Sequence, residues 1–255
     1  MLRGVAAPHP AIVSREPLQS QVRPGDPPPA RQGSHSRRAL LTASVLRPRV
    51  GLDSVPARAR PVGEFDLATQ VSRYLDDFHG RAPSRALYIV FIGGNDLRDA
   101  LEVAPDFPTS FSILLDAVST IEESIRRLAA EGAQTFLVAN APDLSLVPAV
   151  RLQGPLAQEA AKALSEFFNG NLEVMLQTLQ ADPDLALLTL KRLDVFAFLT
   201  AVVQHPESFG LDDAVNPCIT PGVLPNAICS HPDRFLFWDG IHPTRTGHRL
   251  LAIEA

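Results

Sequence analysis

The chain has few of the residues that several classes of protein depend on. Among 255 residues it contains two cysteines, too few for a scaffold held by several disulfides or for a four-thiolate zinc site. It has no apolar run near the roughly 20 residues of a membrane-spanning helix, so no integral membrane segment is expected. A net charge of -5 gives no reason to expect nucleic acid as a partner. Hydrophobic residues make up 45% of the chain, which is typical of a globular protein.

The first 62 residues contain no aromatic side chain, and the first aromatic residue is Phe65. They hold 10 of the 23 prolines, and ten arginines against three acidic residues give them a charge of +7. Such a stretch cannot bury enough apolar surface to offset its ordering entropy. We expect 1–62 to be disordered or mistranslated from a GC-rich gene. Residues 63–255, with a charge of -12, are expected to form the folded domain.

Helical and strand-like patterns alternate beyond residue 62. Apolar residues at helical spacing follow Asp66, a suitable N-cap. Continuous apolar runs are typical of strands that are covered on both faces, and they occupy 86–92, 135–139 and 185–190. Helical patterns separate or follow these runs at 114–128, 155–179 and 195–205. This order predicts a parallel sheet between helical layers, with chemistry at the carboxyl ends of the strands.

A glycine-rich tetrapeptide, Gly93-Gly-Asn-Asp96, ends the first apolar run. Its two glycines allow a tight turn and leave the approach to the strand end open. The carboxamide of Asn95 could donate a hydrogen bond to an oxyanion that develops during acyl transfer. The plainer interpretation is that Asn95 and Asp96 only cap a turn before Leu97. The tetrapeptide alone leaves both interpretations open.

A second polar motif lies near the carboxyl end, in Trp238-Asp-Gly-Ile-His-Pro-Thr244. Asp239 and His242 are three residues apart on a loop that Pro243 stiffens. The carboxylate can accept from one ring nitrogen of the histidine, which leaves the other nitrogen to face a nucleophile. Thr244 is a suitable N-cap for the helix that follows. A local ion pair or half of a metal site would use the same two residues, so the motif alone does not decide.

The two motifs together are more specific than either one alone. Gly93-Gly-Asn-Asp96, followed about 145 residues later by 237–244, resembles the SGNH or GDSL family of lipases and acylhydrolases, in particular its larger secreted bacterial members. The resemblance implies a flavodoxin-like three-layer α/β/α sandwich with a parallel sheet. It implies an ester hydrolase with Asn95 in the oxyanion hole, His242 as general base and Asp239 as the carboxylate that orients it. Neither a metal nor an organic cofactor is implied.

Two parts that this resemblance requires have no clear counterpart in the sequence. One is a serine in a Gly-Asp-Ser-Leu element after the first strand, and the other is a glycine whose N–H is a further oxyanion donor. The nearest match to the serine is Ser54, only 41 residues before Asn95 and without an apolar strand before it. An exposed linker serine is the favoured interpretation of Ser54, and Ser84 and Ser145 are no better placed. We expect the first strand to be missing or degenerate, and the nucleophile is unassigned.

This gap leaves a second function open. A chain without a nucleophile has no covalent route to hydrolysis, so it would be an inactive fragment or a pseudoenzyme that binds its ligand without turnover. For the chain as printed, the sequence favours negligible ester hydrolysis. The expected partner is a small-molecule or lipid ester in both cases.

Two features bear on the compartment in which the protein works. Cys218 and Cys229 lie 11 residues apart just before the Asp–His loop, and on their own they could be free thiols. The resemblance to secreted family members implies that they form a disulfide and that the protein is extracellular or periplasmic. The run 37–46 is not a usable signal peptide, because its apolar part is short and Arg47 closes it.

Overall fold

The computed structural model describes residues 39–42, 66–219 and 228–255. Within them, strands and helices alternate along most of the chain. The strands are β1 (Ala39–Thr42), β2 (Leu87–Phe91), β3 (Thr135–Ala139), β4 (Thr189–Leu193), β5 (Asp213–Pro217) and β6 (Phe235–Phe237). The helices are α1 (Leu67–Asp77), α2 (Gly94–Glu102), α3 (Phe107–Ala130), α4 (Pro148–Arg151), α5 (Pro155–Ala181), α6 (Val195–Gln204) and α7 (Arg245–Glu254).

The main sheet has four parallel strands in the order β1-β2-β3-β4. In its register, Tyr88 of β2 lies beside Phe136 of β3, and Phe136 lies beside Leu190 of β4. Because the strands are parallel, their carboxyl ends meet at one edge. The loops that leave β2, β3 and β4 therefore start from the same side of the sheet.

The short strand β1 lies inside the segment 1–62 that is expected to be disordered or mistranslated. Its four residues pair with β2, from Ala39 beside Tyr88 to Thr42 beside Phe91. A four-residue strand therefore stands at the first position of the sheet, where the sequence leads us to expect a missing or degenerate strand. The rest of 1–62 lies outside the described residues, so the domain boundary at residue 62 stays a prediction.

Helices cover both faces of the sheet. Tyr88, Val90 and Phe136 point to one face, where they form a large buried cluster with apolar residues of α1, α3 and α5. On the other face, Leu137 and Leu193 pack with Val195 of α6 and with Leu251 of α7. The alternation along β2 and β3 is the period of two that a sheet imposes. This arrangement is the predicted three-layer α/β/α sandwich.

A second, two-stranded sheet formed by β5 and β6 was not predicted. The two strands are parallel, with Asp213 beside Phe235 and Pro217 beside Phe237. Ala214 and Phe237 pack in a separate buried cluster with Val150 of α4. β5 contains polar residues and a proline, and β6 has only three residues, so neither sequence has a clear strand period. This small sheet leads directly into the Asp–His loop.

The start predicted for the third strand is wrong by four residues. The apolar run 185–190 indicates a strand there, but Pro183–Leu185 is a 3₁₀ turn and β4 begins at Thr189. The strand is an edge strand in the described sheet, and only Leu190 and Leu193 along it are buried. The exposed residues Lys191 and Arg192 interrupt the apolar run, so the apolar pattern does not indicate a strand at this position.

Candidate active site

Helix α2 starts immediately after the carboxyl end of β2. Its N-cap is Gly93, whose backbone has φ +108°, in the left-handed region that favours glycine. Buried Leu97 and Ala100 anchor the helix in the core. Asn95 and Asp96 therefore lie in the first helical turn rather than in a turn that precedes Leu97.

Asn95 is exposed at the start of α2. Among the described residues, no hydrogen bond engages its carboxamide, so the amide N–H groups are free to donate to a ligand. The first N–H groups of a helix also point outward and carry a partial positive charge. Asn95 thus stands at the carboxyl edge of the sheet with the chemistry that an oxyanion donor needs.

Asp239 and His242 are joined within one loop. The Asp239 carboxylate oxygen Oδ2 lies 2.7 Å from the ring nitrogen Nδ1 of His242. The other oxygen, Oδ1, accepts from the backbone N–H groups of Ile241 at 2.8 Å and His242 at 2.7 Å. With Nδ1 committed to the carboxylate, the ring presents Nε2 outward. The side chain of His242 is 40% exposed and that of Asp239 is 26% exposed, so the ring is open to a ligand.

The hydrogen bonds around Asp239 decide its charge. Burial of the carboxyl group opposes ionisation and is the largest single influence. The opposing hydrogen bonds, first from the His242 backbone N–H and then from its ring and from the Ile241 N–H, together outweigh burial and hold the pKa of Asp239 below its ordinary value. Asp239 is therefore an ionised acceptor at neutral pH, as the orienting member of a catalytic pair must be.

Backbone hydrogen bonds close the Asp–His loop on itself. The N–H of Trp238 donates to the carbonyl of His242 at 2.7 Å, and the N–H of Thr244 donates to the carbonyl of Leu236 at 2.8 Å. The Thr244 hydroxyl donates to the Phe235 carbonyl at 2.7 Å and accepts from the Gly247 N–H at 3.1 Å. Thr244 is the N-cap of α7, as its sequence position predicts.

Two other segments brace the same loop from outside. The N–H of Ala149 in α4 donates to the Gly240 carbonyl at 2.9 Å. On the other side, the N–H groups of Cys218 and Ile219 donate to the carbonyls of Phe237 and Trp238 at 2.9 and 2.8 Å. Cys218 is disulfide-bonded to Cys229, with Cα atoms 4.9 Å apart. The disulfide-bonded Cys218 is thus hydrogen-bonded to Phe237, two residues before Asp239.

The described contacts join Asp239 to His242 and do not join Asn95 to either of them. The helix that carries Asn95 and the strand before Asp239 nevertheless pack in the same buried cluster. Leu101 of α2 packs against the buried cluster that contains Phe237, two residues before Asp239. The sequence motifs alone could not show this link, because it passes through residues outside both motifs.

The serines considered as nucleophiles are not brought to this site. Ser84 lies in the turn before β2, at the opposite end of the strand from Asn95, and five strand residues span roughly 16 Å. Ser145 is buried, in a 3₁₀ turn that Asp143 caps. Ser54 lies outside the described residues. The structure therefore leaves the nucleophile unassigned.

The sequence comparisons agree with the fold and the paired motifs. A sequence model described as "GDSL-like Lipase/Acylhydrolase" matches residues 37–255. The chain belongs to the GDSL lipase/acylhydrolase family, a family of hydrolases that act on esters. The match starts two residues before β1, on the N-terminal side of the boundary predicted at residue 62.

Similar individual proteins are found in plants. They include the Arabidopsis thaliana proteins "GDSL esterase/lipase LIP-4", 24% identical over 66% of this chain, and "GDSL esterase/lipase At5g22810", 28% identical over 66%. "Anther-specific proline-rich protein APG" of the same plant is 26% identical over 66% of this chain. The matches cover 50%, 51% and 34% of those relatives, so the chain spans about half their length or less. The likeness to bacterial members stays a prediction.

Proposed function

We propose that this domain hydrolyses carboxylic esters with a serine, histidine and aspartate mechanism. The observation that carries the proposal is the 2.7 Å contact between Asp239 and His242 Nδ1. It stands on a loop that two neighbouring segments hold in place. The substrate is a small-molecule or lipid ester, and no metal or organic cofactor takes part.

Each described residue has a separate role in this mechanism. His242 Nε2 takes the proton from the attacking serine and later returns it to the leaving alcohol. Asp239 holds the ring in the tautomer that this transfer needs and stabilises the imidazolium that forms. Asn95 donates from its carboxamide to the oxyanion of the tetrahedral intermediate. The serine that attacks the acyl carbon comes from outside the described residues, and its position in the sequence is unassigned.

A second function has its own support. The chain could bind an ester or a related ligand without turnover, as a pseudoenzyme or an inactive fragment. The placement of the serines favours this reading, because Ser84 stands at the wrong end of β2 and Ser145 is buried. Without a nucleophile only residual catalysis from binding and oxyanion contacts remains.

Labelling with a fluorophosphonate probe separates the two functions. The probe reacts with an activated serine, so the hydrolase predicts labelling that His242→Ala abolishes, together with hydrolysis of p-nitrophenyl acetate. The pseudoenzyme predicts neither. If labelling occurs, Ser54→Ala shows whether that serine is the nucleophile. Full esterase activity in His242→Ala would contradict the proposed site altogether.

The proposed site can also be tested without turnover. In ¹⁵N NMR spectra of the histidine rings, Asp239 is expected to hold His242 with its proton on Nδ1. Asp239→Asn removes the charge that favours this tautomer, so the ring nitrogen shifts of His242 are expected to change. His248, exposed on the neighbouring helix α7, is a built-in control whose shifts stay the same.

The place where the protein works is also part of the proposal. Among the described residues, no helix has the length and apolar content to cross a bilayer. The bonded pair Cys218 and Cys229 is the kind of linkage that persists in oxidising compartments. We place the protein outside the cytoplasm on this ground. Complete reduction of the two cysteines in protein isolated from its native source would contradict that placement.

A further inference from the structure

Two leucines beside the Asp–His loop are almost fully exposed. Leu152 is 84% exposed and Leu156 is 82% exposed, the two highest values among the large apolar side chains of the described residues. They flank Gly154, at the turn between α4 and α5. Single exposed apolar residues need no explanation, but two at one turn beside a candidate active site do.

The turn that carries these leucines is tied to the catalytic loop. Ala149 lies one helical turn before Leu152 and donates its N–H to the Gly240 carbonyl. Gly240 packs so closely on α4 that a Cβ there would lie 3.2 Å from the Cβ of Ala149. Ile241, the next residue along the loop, is itself exposed. We call the exposed side chains of Leu152, Leu156 and Ile241 the leucine rim.

The charges around the leucine rim differ from those of the rest of the chain. The sequence runs 144–158 and 240–253 contain neither Asp nor Glu, although the chain has 28 acidic and 23 basic residues. The first run carries the rim leucines, and the second carries Ile241 and His242. Arg151, directly before Leu152, forms no ion pair among the described residues. The charged residues within the two runs are therefore all basic, on a protein of negative net charge, and the first acidic residue after the rim leucines is Glu159.

We infer that the leucine rim is a docking surface for an anionic lipid layer, which brings the Asp239–His242 pair to esters held in that layer. Exposed leucines enter the boundary between headgroups and acyl chains, and Arg151 beside them is attracted to anionic headgroups. Acidic side chains would oppose this contact, and the two runs that carry the rim residues contain none. The inference deepens the proposed ester hydrolase and rests on it for the purpose of docking, but the contact itself requires no turnover.

Vesicle flotation tests the docking surface directly. The full chain is mixed with vesicles of equal parts phosphatidylglycerol and phosphatidylcholine, or with phosphatidylcholine vesicles alone, and the floated fraction is measured. We expect binding to the anionic vesicles and a partition coefficient about tenfold lower in Leu152→Ser/Leu156→Ser, because two apolar side chains no longer enter the lipid. Both positions are exposed, and circular dichroism checks that the variant is folded.

Two further variants make the test specific. Leu187→Ser is the matched control, because Leu187 is 76% exposed but stands before the amino end of β4, away from the rim. It is expected to bind vesicles like the unchanged chain. Arg151→Gln is expected to weaken binding to the anionic vesicles while binding to phosphatidylcholine alone is unchanged.

The possible results separate this inference from the proposed function. No flotation, or an equal loss in Leu187→Ser, overturns the docking surface. A dimer in light scattering that Leu152→Ser/Leu156→Ser dissociates, without flotation, also overturns it and assigns the rim to a second copy of the chain. Flotation without fluorophosphonate labelling leaves the docking surface in place and counts only against the proposed hydrolase.

Discussion

Gly93 lies directly against the ring of Phe168. A Cβ placed on Gly93 would stand 2.6 Å from the Phe168 Cζ atom, closer than two non-bonded carbon atoms can approach. Phe168 is fully buried in α5, so its ring cannot move aside into solvent. This contact fixes where α2 leaves the sheet, and with it the position of Asn95.

Gly93→Ala is expected to lower the free energy of unfolding by about 2–5 kcal/mol, because a positive φ and a steric clash act together. Chemical denaturation measures the change. Gly80→Ala is the matched control, since Gly80 also has a positive φ, +73°, but has nothing within 4 Å of the added Cβ. It is expected to cost only about 1 kcal/mol of backbone strain. Equal losses in the two variants would contradict a role for the Phe168 contact.

Thr244→Val is expected to lower the free energy of unfolding by about 1–3 kcal/mol. The variant removes the N-cap of α7 and leaves the Phe235 carbonyl without its hydroxyl donor. Thr120→Val is the control, because the Thr120 hydroxyl also donates to a backbone carbonyl, that of Asp116, but is exposed. Chemical denaturation of both variants should show a loss in Thr244→Val alone.

The stability of the domain is expected to fall when the pH is lowered below about 4, in part through Asp239. Its pKa is lower in the folded protein than in the unfolded chain. The stabilising contribution is therefore complete above the unfolded value, near 4, and is lost as the pH falls through the folded value. Asp239→Asn should be less stable than the unchanged chain at pH 6, and the difference should shrink towards pH 2. A difference in unfolding free energy that stays constant with pH would contradict this.

Removal of the disulfide is expected to destabilise the protein by about 3 kcal/mol in the chain-entropy model. The variant Cys218→Ser/Cys229→Ser is compared with the unchanged chain in urea, with and without reductant. Reductant should destabilise the unchanged chain by a similar amount and leave the variant as it is. Because Cys218 and Ile219 bond the strand that precedes Asp239, hydrogen exchange at Trp238 should also rise in the variant.

Much of the fold follows from periodicity and capping. Asp66, Pro155 and Asp194 stand at helix starts, as their side chains predict. β3 coincides with its apolar run, and Gly93-Gly-Asn-Asp96 follows the carboxyl end of β2, as the sequence predicts. These features are local, so a single sequence carries enough information to place them.

What the sequence did not predict depends on contacts between distant segments. Helix α2 was missed because its first residues, Gly94, Asn95 and Asp96, are poor helix formers, and burial of Leu97 and Ala100 stabilises it instead. The hydrogen bond from Ala149 to Gly240 cannot be predicted from the sequence either, because neither residue lies in a distinctive local pattern. In the candidate site, the Asp239–His242 pair could be predicted from its spacing, but the bracing around it could not.

The pairing of Asp239 with His242 inside a single loop has a consequence for how the site is assembled. Its contacts span three residues, whereas Asn95 is 144 residues away from Asp239 along the chain and reaches its place only when the sheet is complete. Contacts of such different sequence separation form at different stages of folding. We expect the contact between His242 and Asp239 to form early in folding and to persist when the sheet opens partially. Loss of order at the N-terminal strands would then disable the oxyanion donor before it disturbs the base.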